Sequence, residues 1–113
     1  MNTSNSEIIE KYLDALRKKD LDAAPFDVHI RFDNPVTGKG SGADNLRAFL
    51  SGFLPAIDEV RIHRHVCEGE YVVTHWEVEG VFGIIPILEL FRVRDGLIVE
   101  STAFFDPRPI LGS

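Results

Sequence analysis

The sequence has 113 residues, with 12 Lys and Arg against 18 Asp and Glu and a formal net charge of −6. This length corresponds to one domain, and an apolar content of 44% supports a hydrophobic core and excludes a disordered chain. The basic residues are scattered through an acidic chain that phosphate groups would repel, so neither nucleic acid nor an anionic membrane is an expected partner.

The N-terminal segment and the cysteine content bear on location. Residues 1–7 contain neither the basic nor the apolar stretch of a secretory leader, and no apolar run approaches the ~20 residues that a membrane span needs. Cys67 is the single cysteine, which excludes an internal disulfide and a cysteine-rich zinc site. We therefore expect a cytoplasmic protein.

The chain begins with a predicted helix. Ser4 and Glu7 have the spacing of a capping box, and apolar residues recur after them at helical period, so a helix is expected over 5–18. A short second helix over 20–24 would end at Pro25.

A strand and a loop follow. Apolar and polar residues alternate over 28–33, which predicts a half-buried strand with Val28, Ile30 and Phe32 facing inward. The glycine-rich stretch 38–42 is expected to be a loop, and it lacks the spacing of a phosphate-binding loop. No cofactor is expected.

A second long helix precedes the predicted sheet. Ser41 and Asp44 can cap this helix, its apolar residues recur at helical spacing over 46–54, and Pro55 ends it. Four long strands are then predicted, near 59–67, 70–80, 84–94 and 97–106. Helices followed by an antiparallel sheet are typical of an α+β fold, in which the few helices cover one face of a strongly curved sheet. A concave pocket is expected between them.

One carboxylate interrupts an apolar strand face. Glu89 alternates along the strand with the same residues as Ile85, Ile87 and Phe91, at even spacing (the same parity), so its side chain is predicted to point inward with theirs. Burying an unpaired carboxylate is unfavourable enough that it usually stays protonated or finds a donor, which suggests a functional role. A bulge that leaves Glu89 at a wet rim is the alternative.

Two further polar residues fall on apolar faces. Tyr12 lies on the apolar stripe of the first helix, where its hydroxyl can reach into the space that the helix covers, although a core tyrosine is the alternative. Asn34 continues the inward parity of the first strand, although it can equally be a turn residue before Pro35.

The histidines offer weaker signals. Alternation puts Arg61, His63, His65 and Cys67 on one strand face, where a metal would lack a third ligand and an adjacent Arg would repel it. A solvated sheet face is expected, and no metal site. His65 and Cys67 would be about 6.6 Å apart, too far for a nucleophile and its base.

Five short motifs follow in a characteristic order along nearly the whole chain. They are Tyr-Leu-Asp-Ala-Leu at 12–16, Phe-Asp-Asn-Pro-Val at 32–36, Val-Glu-Gly at 78–80, Pro-Ile-Leu-Glu-Leu-Phe at 86–91 and Asp-Gly-Leu-Ile-Val-Glu at 95–100. With the order of the elements, they resemble the nuclear transport factor 2-like superfamily, and within it the SnoaL-like and ketosteroid isomerase-like proteins. The resemblance implies a cone: a curved, mostly antiparallel sheet wrapped around N-terminal helices, with an apolar pocket at one end.

The resemblance also implies site residues. In ketosteroid isomerase an Asp base moves a proton, while a Tyr and a protonated carboxylic acid form the oxyanion hole. Tyr12 matches the tyrosine and Glu89 matches the protonated acid, but Asn34 stands where the Asp base is expected. An amide cannot accept a proton at neutral pH. The residues expected to contact a ligand are Phe32, Trp76, Val78, Ile87, Phe91 and Phe105.

Asn34 leaves three functions open. The pocket can be catalytic, with Tyr12 and Glu89 acting on a carbonyl and another group as base; Asp33 is near but has outward parity, and Asp106 either serves at the rim or caps the last turn. It can instead bind a small apolar ligand bearing a carbonyl or hydroxyl without chemistry. In the third reading the domain is a scaffold and the pocket is vestigial.

The resemblance also narrows the reactions. Epoxide hydrolases of this fold need an inward Arg and Asp two positions apart on a middle strand, where this chain has Trp76 and Val78. Epoxide hydrolysis is therefore not expected. Isomerisation and polyketide cyclisation stay open, because they need mainly an acidic group beside an apolar pocket and an activated carbon acid.

The outer sheet face suggests a partner. It carries a mixture of polar and aromatic or aliphatic residues, among them Arg61, His63, Tyr71 and Val73. The family commonly pairs through this face, and an isologous interface needs only one self-complementary patch. The expected partners are thus a second copy of the chain and a small apolar molecule that contains a carbonyl group.

Overall fold

The computed structural model describes residues 4–112, which form three helices and six strands. The helices are α1 (Asn5–Arg17), α2 (Ala43–Ser51) and α3 (Arg108–Leu111). The strands are β1 (Phe26–Asn34), β2 (Gly38–Ser41), β3 (Ile57–Glu68), β4 (Tyr71–Gly80), β5 (Gly83–Arg94) and β6 (Leu97–Phe104). Two 3₁₀ turns, Leu21–Ala23 and Leu54–Ala56, follow α1 and α2. None of the helices in this range has the length and apolar character needed to span a bilayer.

The six strands form one curved sheet in the order β2-β1-β6-β5-β4-β3. All neighbours are antiparallel except β1 and β6, which run parallel. The predicted α+β class, with a curved sheet and N-terminal helices, is confirmed. The helices cover the concave face, and the core lies between them and the sheet.

Helix α1 has the predicted start and buried face. The Ser4 hydroxyl accepts from the backbone N–H of Glu7 at 3.4 Å, which is one half of the capping box, and donates to the Glu7 carboxylate at 3.1 Å. At the other end, Arg17 Nε donates to the Val60 carbonyl at 3.0 Å. The Tyr12 ring packs on Phe26, with ring centroids 5.1 Å apart, so this residue lies inside the cone.

The region before α2 differs from the prediction. Residues Gly38–Ser41 form strand β2, paired antiparallel with β1, instead of a loop. A Cβ at Gly40 would lie 2.6 Å from the ring of Phe32, so glycine lets that ring lie across the β1–β2 pair. The cap of α2 is Gly42, at φ +97°, and neither Ser41 nor Asp44 caps the helix.

Two register shifts turn side chains to unexpected faces. A shift between Phe26 and Arg31 leaves Val28 69% exposed, where alternation predicted it to face inward. A second shift, between Ile62 and Arg64 in β3, splits the expected histidine face. His65 therefore lies against the buried Thr74, with Nδ1 2.8 Å from the threonine hydroxyl, and is not part of a solvated face.

Candidate functional site

A cavity of about 90 Å³ lies between the concave sheet face and helices α1 and α2. Its inner wall consists of buried side chains: Tyr12, Leu16, Phe32, Leu46, Ile57, Trp76, Val78, Ile87, Glu89 and Ser101. Its mouth consists of half-buried residues: Asp33, Asn34, Phe49, Leu50, Phe53, Phe82, Ala103, Phe105 and Ile110. Aromatic rings are therefore prominent at the entrance, and the wall contains one buried carboxyl, that of Glu89.

Glu89 is the central polar group of the inner wall. Its side chain is inward and 3% exposed, and not at a wet rim. Oε1 accepts from Trp76 Nε1 at 3.1 Å, and Oε2 accepts from the Ser101 hydroxyl at 2.5 Å. Burial raises the pKa of Glu89 to about 7 against the opposing effect of these two hydrogen bonds. Both protonation states of this carboxyl are accordingly populated near neutral pH.

The strand registers explain why these three residues meet. Trp76 lies opposite Ile87 in the β4–β5 pair, and Ser101 lies opposite Phe91 in the β5–β6 pair. Each donor is thus a diagonal neighbour of Glu89, on the strand to either side of it. The carboxyl is held from both sides by rigid sheet and not by a loop.

Tyr12 reaches the same cavity from α1. Its side chain is buried and lines the inner wall, and it is not a hydrogen-bond partner of Glu89. Burial and the charge of Glu89 raise the pKa of the Tyr12 phenol well above its ordinary value. The hydroxyl stays protonated at physiological pH and can act as a donor.

Asn34 is a turn residue as well as a mouth residue. Its Oδ1 accepts from the backbone N–H groups of Val36 at 3.0 Å and Thr37 at 2.9 Å, which makes an Asx turn at the end of β1. Because Oδ1 is engaged in the turn, Nδ2 is the group that this amide can offer to the cavity.

Five of the six residues expected to contact a ligand line the cavity: Phe32, Trp76, Val78, Ile87 and Phe105. Phe91 does not. It is fully buried and packs edge-on against Tyr12, with ring centroids 5.9 Å apart. Phe91 therefore belongs to the core that supports the Tyr12 ring.

The two acids considered as alternative bases occupy different places. Asp33 is half-buried and belongs to the mouth, although strand parity predicted it to face away. Asp106 is exposed and accepts from the backbone N–H of Arg108 at 3.0 Å, although the N-cap residue of α3 is Pro107. Its ion pair with Arg108 lowers the pKa of Asp106 to about 2. At that pKa it is a weak base.

Sequence reasoning missed Ser101. Alternation from the buried Ile98 predicts that Ser101 faces outward. A register shift in the β5–β6 pair, between Arg92 and Val93, reverses which residues of β6 face inward. Counting back from Phe105 would have placed Ser101 inward, and this was the one available signal. Within residues 4–112, no three His, Cys, Asp or Glu side chains are arranged to hold a metal ion.

A model of the SnoaL-like domain matches residues 9–101. The chain belongs to the SnoaL-like domain family. No functionally curated protein matches its sequence. This SnoaL-like domain shares the nuclear transport factor 2-like fold that its sequence motifs resemble.

Solved structures share this fold. An NTF2-like protein of unknown function from Cytophaga hutchinsonii has a TM-score of 0.85 at 18% identity, over 98% of this chain and 97% of that one. A provisionally assigned SnoaL-like polyketide cyclase from Jannaschia sp. CCS1 has a TM-score of 0.81 at 18% identity, over 98% and 94%. A provisionally assigned ketosteroid isomerase from Kribbella flavida has a TM-score of 0.79 at 18% identity, over 90% and 77%. At such identities the likeness establishes the fold alone.

Proposed function

We propose that this SnoaL-like domain binds a small carbonyl compound and moves a proton on the carbon next to the carbonyl, as an isomerase or a cyclase. The observation that supports this most strongly is the buried carboxyl of Glu89, which has a pKa near 7 inside an otherwise apolar cavity. An acid–base group is most effective when its pKa is close to the working pH.

The two polar groups of the inner wall would divide the work. The Tyr12 hydroxyl donates to the carbonyl oxygen and stabilises the enolate. The Glu89 carboxylate takes a proton from the carbon between the carbonyl and a β,γ double bond, and returns it to the γ carbon. The product is the conjugated ketone, and the carboxylate is regenerated.

This assignment differs from the one that the family resemblance implies. There, the acid at the position of Glu89 stays neutral and the base stands at the position of Asn34. In this chain Asn34 cannot be a base, and both oxygens of Glu89 already accept hydrogen bonds. Glu89 is therefore better suited to proton transfer than to donation.

The test uses cyclopent-3-en-1-one, whose conversion to the conjugated cyclopent-2-en-1-one is followed by ultraviolet absorbance. The Glu89→Gln variant should lose roughly 10²–10⁴-fold in rate, the usual contribution of a general base, and Tyr12→Phe should also be slower. Asp58→Asn, at an exposed position of β3, is the control and should match the wild type. An unchanged rate in Glu89→Gln would contradict the proposal.

Binding without turnover is the second candidate, and the amide at position 34 favours it. In that case Tyr12, Glu89 and the Asn34 Nδ2 group orient a ligand and no group removes a proton. Saturable binding of the ketone by a wild-type protein that does not convert it would support this function over the first.

A further inference from the structure

We infer that the site is selective for compact, uncharged ketones about the size of a single five-membered ring, and that it rejects both anions and fused rings. The inference rests on the proposed carbonyl-binding function and names its substrate class. Three features of the cavity carry it: its volume, the charges on and around its wall, and the rings at its mouth.

The volume sets the size limit. The cavity measures about 90 Å³. An apolar cavity of about 150 Å³ holds one benzene molecule, and sites for drug-sized ligands are roughly 300–1,000 Å³. A five-membered cyclic ketone has six non-hydrogen atoms, as benzene has, so it already takes up this space and extends into the mouth, and a fused bicyclic or tetracyclic ketone exceeds it.

The charges on the wall exclude anions. Among the described residues that line the cavity, the ionisable groups are Tyr12, Asp33 and Glu89, and none is Lys, Arg or His. A carboxylate or phosphate ligand would enter beside acids with no cation to pair with it, and burial of an unpaired charge is strongly unfavourable.

The arginines of α1 and α2 donate to backbone carbonyls. Arg47 on α2 donates to the carbonyls of Leu21 at 3.0 Å and Ala24 at 3.1 Å. Arg17 on α1 donates to the carbonyl of Val60. Turning either side chain toward a bound anion would leave backbone carbonyls without these donors, so the electrostatic selectivity is built into the fold.

The rings at the mouth set the boundary of the ligand. Phe49 and Phe53 pack edge-to-face with centroids 5.0 Å apart, and both line the cavity from the α2 side. Both are half-buried, so removal of one ring enlarges the mouth without opening the centre of the core. Phe53 and Phe49 are the specificity-determining residues that the size limit identifies.

The experiment measures ligand binding through Trp76, the single tryptophan, whose indole lies in the cavity wall and donates to Glu89. Four probes are titrated at pH 8: cyclopentanone, its isosteric hydrocarbon methylenecyclopentane, cyclopentanecarboxylate, and the bicyclic ketone hydrindanone. The titrations are repeated with Phe53→Ala, and with Phe49→Ala as a second enlarged variant. Circular dichroism establishes that each variant is folded.

We expect cyclopentanone to bind the wild type at least about ten-fold more tightly than cyclopentanecarboxylate, because the anion has no cation to pair with. Hydrindanone should bind measurably to a folded enlarged variant and at least about ten-fold more weakly to the wild type. Equal wild-type affinities for cyclopentanone and either the anion or the bicyclic ketone would overturn the inference. Failure of both folded variants to bind hydrindanone would also overturn the inference.

The hydrocarbon separates this inference from the proposed function. If methylenecyclopentane binds as tightly as cyclopentanone while the anion and the bicyclic ketone are rejected, the selectivity for size and charge stands and carbonyl recognition fails. If cyclopentanone is preferred but size and charge make no difference, the proposed function stands and the inference fails. Absence of binding by all four probes contradicts both.

Discussion

Glu89 makes the stability of the protein depend on pH in a direction opposite to that of most carboxylates. Its pKa rises from an ordinary value of 4.5 to about 7 on folding, so the unfolded chain releases this proton at lower pH than the folded protein does. The contribution of the neutral carboxyl to stability is complete below pH ~4.5 and is lost as pH rises toward 7.

Glu89→Gln should remove this pH dependence. The amide can keep both contacts, since Oε1 still accepts from Trp76 and Nε2 can donate to the Ser101 hydroxyl. We expect the free energy of unfolding of the variant, relative to wild type, to increase by about 3 kcal/mol between pH 4 and pH 8. Urea denaturation at several pH values measures it, with Asp58→Asn as control. A difference that does not change with pH would show that Glu89 ionises normally.

Asn34 allows a prediction of gained activity. In Asn34→Asp, one carboxylate oxygen can keep the Asx turn to Val36 and Thr37 while the other replaces Nδ2 at the cavity mouth. The variant then holds a base where the family pattern has one. Combined with Glu89→Gln, which removes the proposed base, it should isomerise cyclopent-3-en-1-one roughly 10²–10⁴-fold faster than Glu89→Gln alone. Asn34→Ala, which lacks both base and turn, is the control. A folded double variant that binds the ketone but is no faster than Glu89→Gln would contradict this use of position 34.

At the scale of elements, one glycine fixes the β4–β5 hairpin against the turn after α2. A Cβ at Gly80 would lie 2.0 Å from the backbone carbonyl oxygen of Ala56, which cannot move as a side-chain tip can. We expect Gly80→Ala to lower the free energy of unfolding by about 2 kcal/mol or more. The control is Gly52→Ala, whose Cβ would meet its nearest atom at 3.4 Å. Equal stabilities in thermal or urea denaturation would contradict the close approach.

The sequence predicts those elements whose side chains carry a periodic signal. Helix α1 and strands β4 and β5 have clear apolar periods and lie within a residue or two of the predicted bounds. Strand β2 carries no such signal, because two of its four pairs with β1 involve a glycine and its residues are mostly exposed. Pairing of this kind is decided by tertiary structure.

The candidate site divides in the same way. Parity predicts the inward position of Glu89, because β5 is regular from Ile85 to Phe91. It fails for His65 and Ser101, because each lies beyond a register shift that reverses the faces of its strand. The catalytic roles of Tyr12, Glu89 and Asn34 stay predictions, since they depend on chemistry that no periodic pattern encodes.

At the scale of the whole molecule, the convex face of the sheet is an unusual surface. Arg64, His75, Leu88 and Phe104 follow one another in register across β3, β4, β5 and β6. Leu88 is 49% exposed and Phe104 59% exposed, and Val66 beside them is 59% exposed. Ion-pair networks around Arg61 and Arg92 lie on the same strands, beside the apolar stripe that Val66, Leu88 and Phe104 form.

A stripe with an apolar centre and both signs of charge at its sides is suited to a second copy of itself, so we propose a homodimer through this face. Leu88→Glu should convert the dimer to a monomer in sedimentation velocity at micromolar concentration, because a charge would be buried at its centre. Val81→Glu, at an 83% exposed residue in the β4–β5 turn, should stay dimeric. A monomeric wild type would contradict the proposal.

The parallel pair β1–β6 has a consequence for the order of folding. Strand β1 reaches the meander only through β6, and the ion pair that links them, Arg31 with Glu100, joins residues 69 positions apart. Strands β3 to β5 can pair as each is synthesised, whereas the β1–β2 pair can join them only after the last strand is made. Closing so long a loop costs conformational entropy before the stabilising contacts between β1 and β6 can form. Topologies of this kind therefore fold slowly. Because β6 also carries Ser101, the carboxyl of Glu89 acquires its second donor, and the cavity its last wall, only in that late step.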